Sequence, residues 1–242
     1  MVPALFTALP SAKVGANYTH EERPIQGVRK VVVKGSVDVF FRRFGTPQLV
    51  VAGETQEAID AIKTRIKGDK LIIENEGSNF QCNGVSFGNI SVGSVGGNGV
   101  HININGQSIN IGGNVNGGNI GRAVVGVALP EIQAVNLKGS GDITLLDLQQ
   151  AGIELEIEGS GDITAYGQVE SLTVGVAGSG DVDCSDLTAN RASLSVAGSG
   201  DIKAFVRQSV TAQVVGSGDI LVRGNPAQRT KQVVGSGGVK FK

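Results

Sequence analysis

Five aspartates recur at nearly constant spacing, and they are the residues best placed to do chemistry. Each follows the tripeptide Gly-Ser-Gly, and neighbouring aspartates lie 18–20 residues apart. A fixed period of this size is typical of a solenoid, in which successive coils stack and equivalent residues form a column. The five residues are Asp142, Asp162, Asp181, Asp201 and Asp219.

A column of carboxylates can serve a structural or a metal-binding purpose. Like charges stacked at the spacing of about 4.8 Å between strands need compensation by hydrogen bonds, by cations or by protonation. We favour the structural interpretation, in which each Asp accepts hydrogen bonds from backbone N–H groups of its own corner. The alternative is a calcium ladder, but calcium takes about six to eight oxygen ligands, and the repeated phrase supplies one carboxylate. We therefore predict no metal site.

The glycines of the same phrase predict sharp corners between strands. A sharp turn needs a positive φ, which glycine adopts without strain, and small residues let successive corners stack closely. The sixth copy, Gly235-Ser236-Gly237-Gly238, has glycine in place of the aspartate. We assign the repeat corners to the five aspartates and to the first glycine of each phrase. These glycines are Gly139, Gly159, Gly178, Gly198 and Gly216.

Catalytic residue sets are not apparent in the sequence. The two histidines are His20 and His101, so no Ser-His-Asp set and no His/Cys metal set can be assembled. The sequence predicts neither an enzyme nor a cofactor. A formal net charge of -1 gives no reason to expect nucleic acid as a partner, and no run approaches the roughly 18 apolar residues of a membrane-spanning helix.

Each repeat holds two runs in which apolar and polar residues alternate. In one run, Ile153, Leu155 and Ile157 alternate with glutamates, which is typical of a half-buried strand. One coil cannot bury its apolar face alone, but stacked coils bury continuous columns. The sequence therefore predicts an all-β protein, a β-solenoid with coils of 18–20 residues. The inward positions after the corners are Ile143/Leu145, Ile163/Ala165, Val182/Cys184, Ile202/Ala204 and Ile220/Val222.

The N-terminal part is less regular. We interpret residues 1–24 as a poorly ordered leader, since its short apolar stretch is not preceded by Lys or Arg as in a signal peptide. Residues 25–76 read as strands, with one or two helical turns between Glu54 and Ala61. They form either the first, irregular coils of the solenoid or a separate small β-domain. We favour a single β-solenoid domain over residues 25–242.

Residues 77–121 interrupt the repeat with a segment rich in Gly, Asn and Ser. Strict alternation of apolar and polar residues and the turn signal Asn105-Gly106 favour β-hairpins or extra narrow coils. This insertion is where a specific function would most readily arise, because a polar ladder of asparagines can hydrogen-bond glycans. The predicted binding surface comprises Asn103, Asn105 and Asn110.

The two cysteines lie far apart in the chain. Cys184 occupies an inward position of the repeat, where a cysteine behaves as a small buried hydrophobe. A disulfide between Cys184 and Cys82 cannot be read from the sequence. Cysteine usage therefore does not decide the cellular compartment.

A family resemblance rests on three features of the sequence. They are the repeated Gly-Ser-Gly-Asp-Ile, the ending Gly224-Asn225-Pro226 with Gly235-Ser236-Gly237, and the strands Val31–Gly35 and Leu71–Glu74. Over residues 28–76 and 122–242 the chain resembles the auto-transporter adhesin head GIN domain family, a bacterial domain of unknown function. The resemblance implies a right-handed parallel β-helix, broadly like pectin lyases but without their catalytic residues. It also implies cell adhesion and export to the periplasm, outer membrane or extracellular space, with the signal peptide absent or removed.

These observations favour a non-catalytic bacterial envelope or surface protein, an adhesin-like scaffold that binds a protein or a glycan. A polysaccharide-acting enzyme on a pectin-lyase-like fold and a purely structural protein remain the alternatives. The sequence leaves the oligomeric state open.

Overall fold

The computed structural model describes residues 19–75 and 122–242, together with the backbone of three strands at 90–92, 100–104 and 107–111. The all-β prediction is confirmed: the described chain is nearly all strand, arranged as a β-solenoid of about 5 turns with an irregular N-terminal β part. The elements before residue 76 are β1 (Thr19–Arg23), β2 (Lys30–Gly35), β3 (Asp38–Arg43), β4 (Gln48–Gly53), α1 (Gln56–Ala61), β5 (Ile62–Lys67) and β6 (Lys70–Asn75).

The regular coils occupy the C-terminal half of the chain. Four long strands in this half each begin directly after a corner and end at the first glycine of the next corner. The elements from residue 122 onward are β10 (Ala123–Leu129), β11 (Ala134–Gly139), β12 (Ile143–Gly159), β13 (Ile163–Gly178), β14 (Val182–Gly198), β15 (Ile202–Gly216), β16 (Asp219–Arg223), β17 (Gln228–Gly235) and β18 (Gly238–Phe241).

The coils stack as parallel strands with equivalent residues in register. The first position after the corner runs from Ile143 through Ile163, Val182 and Ile202 to Ile220. Strand alternation decides which side chains face inward, because successive residues point to opposite sides of a sheet. Thus Leu155 is fully buried, whereas its neighbours Glu154 and Glu156 are exposed.

All ten inward positions predicted after the corners are buried. They belong to one hydrophobic cluster that extends from Ile25 to Val239. At about 1.5–3 kcal/mol for each buried aliphatic side chain, such columns offset much of the entropy lost on ordering the glycine-rich chain.

The N-terminal strands supply the first coil of the same stack. β11 pairs parallel with β2, which places Val135 on Val31. The first half of β12 pairs parallel with β3, which places Ile143 on Val39. This pairing makes the N-terminal strands part of the same sheet as the regular coils.

The irregularity of this part comes from antiparallel pairs at the end of the stack. β10 lies between β3 and β4, and β4 and β5 pair antiparallel with β1 and β6 respectively. The predicted helical turns are present as α1, whose first turn is capped by Thr55, since the Thr55 hydroxyl accepts a hydrogen bond from the N–H of Ala58 at 3.2 Å.

β1 differs from the interpretation of residues 1–24 as a poorly ordered leader. Its five residues pair antiparallel with β4, with His20 opposite Ala52. Arg23 fixes the end of this strand by donating to the carbonyl oxygens of Ile62 and Ile59 at 2.6 and 3.2 Å. Residues 1–18 of the leader lie outside the described residues.

Three short strands fall within the predicted insertion and form a separate antiparallel sheet. They are β7 (Ile90–Val92), β8 (Val100–Ile104) and β9 (Gln107–Ile111). Because Ile104 pairs with Gln107, β8 and β9 have the pairing of a hairpin rather than of parallel narrow coils.

Cys184 is a free, fully buried thiol. Burial raises the pKa of Cys184 to about 12, because the thiolate would lose its hydration. The residue therefore acts as the small hydrophobe that the sequence predicts. Cys82, the other cysteine, lies outside the described residues.

Candidate functional site

The repeated corners interlock from coil to coil through their backbones. The first glycine of each corner has a positive φ, +146° at Gly159, and a Cβ at that position would lie 2.2 Å from the carbonyl oxygen of Gly139. That carbonyl accepts hydrogen bonds from the N–H groups of Ser160 and Gly161, at 2.9 and 3.1 Å. The absence of a side chain thus permits contact between backbones one coil apart.

The corner aspartates form a hydrogen-bonded ladder that also runs between coils. The carboxylate oxygen Oδ1 of Asp162 accepts from the N–H of Asp181 at 3.0 Å. Asp181 and Asp201 accept in the same way from the N–H groups of Asp201 and Asp219, at 2.8 and 2.7 Å. Each of these three steps joins one carboxylate to the backbone of the following coil.

This arrangement corrects the expectation that each aspartate binds its own corner. The N–H groups of a corner are directed to the preceding coil, where Ser179 and Gly180 donate to the carbonyl of Gly159. In-register parallel stacking brings the next corner's N–H within about one strand spacing of the carboxylate. The aspartate therefore connects coils rather than closing a local turn.

The structure reveals one corner that the sequence analysis missed. Gly35-Ser36-Val37-Asp38 stacks beneath the corner of Gly139, since Asp142 N–H donates to Asp38 Oδ1 at 3.2 Å and the hydroxyls of Ser36 and Ser140 are 3.0 Å apart. Val37 replaces the second glycine, which hid the motif. The pattern Gly-Ser-x-Asp followed by valine was the signal that could have found it.

The ladder does not gather several carboxylates around one point. Among the residues that the structure describes, no group of three or more His, Cys, Asp or Glu residues is placed to hold a metal ion. The corner carboxylates are instead distributed along the stack, one for each coil. Their geometry fits the structural use of the column.

Outward side chains on the sheet that contains β17 change character along the stack. Lys138 and Glu158 occupy one column and form an ion pair at 2.7 Å. The hydrogen bond from Lys138 holds the pKa of the Glu158 carboxyl below its ordinary value. Further along, the same column carries Ala177, Ala197, Val215 and Val234.

Two cavities lie in the irregular N-terminal part. One of about 470 Å³ is lined by residues that include Asp38, Asn75, Arg122 and Asp142, and it adjoins both ends of the insertion. The carboxylate of Asp38 is engaged in the ladder, while the buried Oδ1 of Asn75 has no hydrogen-bond partner among the described residues. The other, of about 660 Å³, is lined by β1 and β5 residues and includes Arg23 and Arg65.

The predicted glycan-binding asparagines are only partly placed. Asn103 lies on β8 and Asn110 on the paired strand β9, with Asn103 opposite Ser108. Asn105 lies outside the described residues. The binding surface on the insertion therefore stays a prediction.

The stacked coils, interlocked glycine corners and continuous inward columns define a β-solenoid protein. The chain belongs to the family described as "putative auto-transporter adhesin, head GIN domain", whose model matches residues 28–226. A comparison with curated proteins found no match.

Solved structures of low sequence identity share this fold. A putative adhesin from Bacteroides fragilis is 16% identical, with a TM-score of 0.63 over 94% of this chain and 98% of its own. A putative adhesin from Parabacteroides distasonis is 17% identical, with a TM-score of 0.51 over 93% of this chain and 97% of its own. Within the described part of the chain, no helix is long and apolar enough to cross a membrane.

Proposed function

We propose that this protein is a non-catalytic scaffold of the bacterial cell envelope, located in the periplasm, outer membrane or extracellular space, that binds a protein or a glycan. The observation that carries the proposal is that corner residues and outward strand residues of each coil make different contacts. The corner residues bind neighbouring coils, and the alternating strands leave long polar faces outward, such as Thr173 and Ser193 in one column. Extended sheet faces suit contact with large partners better than turnover of small ones.

Family membership supports the same direction, because the family description names an adhesin. The insertion offers a second surface, carried on the antiparallel strands β7 to β9. Its asparagines are suited to hydrogen bonds with sugar hydroxyls.

Binding should be tested with the full chain on a glycan array and on bacterial and host cell surfaces. A variant in which residues 77–121 are replaced by a short Gly-Ser linker separates the insertion from the coils. A matched variant, Thr173→Lys with Ser193→Lys, alters the outer coil face and leaves the insertion intact. Loss of binding in one of these variants assigns the surface, whereas a wild-type chain that binds none of these targets contradicts the proposal.

The cavity that contains Asp38 and Asp142 favours one rival, a polysaccharide-acting enzyme, because glycosidases use two carboxylates. Incubating the protein with acidic and neutral polysaccharides and measuring new reducing ends tests this rival. Asp38→Asn retains the Oδ1 acceptor of the ladder. If this substitution abolishes an activity, the Asp38 carboxylate therefore has a catalytic role and not only a structural one.

A further inference from the structure

Among the described residues, β17 is paired along one edge and its outer edge has no partner strand. β17 pairs with β15, and within residues 19–75 and 122–242 no other strand pairs with it. All 8 residues of β17 are exposed. Three columns that are apolar in β15 change at β17. They are occupied in β15 by Val210, Ala212 and Val214, and in β17 by Arg229, Lys231 and Val233.

Charge is distributed unevenly along the stack. Residues 202–242 contain seven Lys or Arg and one Asp, whereas residues 142–201 contain eleven Asp or Glu and one Arg. The net charge of -1 therefore conceals a basic end next to acidic coils. Inward-pointing charges on an edge strand discourage pairing with apolar strands, but they attract a strand of opposite charge.

The coils show how such charges are compensated within the solenoid. Lys138 pairs with Glu158, and Lys203 with Asp183, in each case across adjacent strands of one column, at 2.7 and 3.8 Å. Lys231 lies over Ala212, which offers no carboxylate, and it forms no ion pair with any described residue. A strand added beside β17 can place a carboxylate opposite this ammonium group.

Arg229 is held in place beside Lys231. Its Nε donates to the carbonyl oxygen of Pro226 at 2.7 Å, and its guanidinium lies 5.1 Å from the ring centre of Phe241. A preorganised guanidinium loses little entropy when it binds a carboxylate.

A second copy of the chain is a poor occupant of this edge. The opposite end of the same sheet is β5, which carries Lys63, Arg65 and Lys67 and pairs with β6 alone among the described strands. Stacking β17 of one copy on β5 of another would place basic strands together. The same repulsion opposes contact between two β17 edges.

We propose that β17 accepts an acidic extended strand from a different protein, which continues the sheet. The partner carries carboxylates opposite Arg229 and Lys231 and an apolar residue opposite Val233. Main-chain hydrogen bonds supply affinity, and the alternating side chains supply register and specificity. The inference rests on the proposed non-catalytic binding function and names one class of partner for it.

The first test uses a synthetic peptide, Thr-Glu-Thr-Glu-Thr-Val-Thr-Gly, whose acidic and apolar residues match the β17 columns in parallel alignment. A peptide of the same composition with the alternation shifted by one residue is its control. We expect the matched peptide to bind the full-length protein and Lys231→Glu to weaken it about tenfold or more. Lys67→Glu, on the edge strand at the other end of the sheet, changes the net charge equally and should leave binding unchanged.

The second test is hydrogen exchange with the peptide bound. Strand addition slows exchange of β17 amides, while a flexible polyanion such as dextran sulfate leaves them unprotected. Equal binding of both peptides, no peptide binding, or binding of dextran sulfate alone would overturn the proposal. Lys231→Glu should retain any binding on the glycan array, which does not use the β17 edge, so failure of the edge and failure of the scaffold role are distinguishable.

Discussion

The carboxylate of Asp181 accepts a hydrogen bond from the backbone N–H of Asp201, 2.8 Å away and one coil further along the chain. Asp181 also donates its own N–H to Asp162 in the preceding coil. The same residue type therefore connects three successive coils through a side chain and a backbone group. Loss of one carboxylate should weaken the stack at that step.

We expect Asp181→Ala to lower the free energy of unfolding by about 1–2 kcal/mol, because the N–H of Asp201 loses its acceptor. Asp181→Asn keeps an Oδ1 acceptor and should lose less. Chemical denaturation measures both variants. Asp186→Ala, at an exposed aspartate outside the corners, is the matched control and should stay within about 0.5 kcal/mol of wild type. An equal loss in Asp186→Ala and Asp181→Ala would contradict a special role for the ladder.

The corner glycines make a stronger prediction. Gly159→Ala places a Cβ 2.2 Å from the carbonyl oxygen of Gly139 at a positive φ, so the corners must separate. We expect a loss of at least about 3 kcal/mol, or an insoluble protein. Gly175→Ala is the control within the same coil, because the nearest atom to its Cβ is the Glu156 side chain at 3.9 Å. It should be neutral or stabilising by about 0.5 kcal/mol. Thermal melting of both proteins distinguishes a packing effect from general sensitivity to alanine.

The inward and outward phase of the strands can be tested with single charges. Ile163→Asp buries an unpaired carboxylate in a column where the wild-type residue is 0% exposed, and it should unfold or aggregate the protein. Ser195→Asp places the same charge on an exposed outward position and should leave the melting temperature nearly unchanged. A soluble Ile163→Asp protein with wild-type melting would show that the assigned phase is wrong.

The buried thiol predicts a specific dependence on alkaline pH. In the folded protein, burial raises the pKa of Cys184 to about 12, against an ordinary value of 9.0. Above pH 9 the unfolded chain therefore releases a proton that the folded chain retains, so stability falls as the pH rises from about 9 towards 12. Comparing Cys184→Ala with wild type across this range isolates the contribution, since the variant should lack this part of the pH dependence.

Thiol labelling measures the accessibility of Cys184 independently of the pH dependence of stability. In a Cys82→Ser background, a thiolate-directed reagent should react with Cys184 only at the rate at which the protein opens. Fast labelling under native conditions would show that the inward column at Cys184 is accessible.

Much of the fold was predictable because the repeat period and the apolar alternation determine the length of a coil and the inward positions of its strands. The alternation around Leu155 predicted the inward columns, and the spacing of the corner phrase predicted the coil length. Both features depend on local periodicity, which a single sequence displays directly.

The parts that were not predictable depend on contacts between distant segments. Asp38 joins the ladder across more than one hundred residues, and Val37 hides the phrase that would have revealed it. The role of each aspartate as a hydrogen-bond acceptor was predicted. Its donor, however, lies in the next coil, and only the stacking register shows which residue that donor is. The basic edge at Lys231 likewise depends on strand pairing, because β17 pairs with β15 alone among the described strands.

The close contact of the corner backbones limits how this molecule can change its length during evolution. One extra residue within a corner would displace the glycine above the carbonyl of the coil below and break the aspartate step. Duplication of a whole coil reproduces both contacts and lengthens the stack by about 4.8 Å. The reach of the protein can therefore be adjusted in single-coil increments by gene recombination, while its two ends remain unchanged.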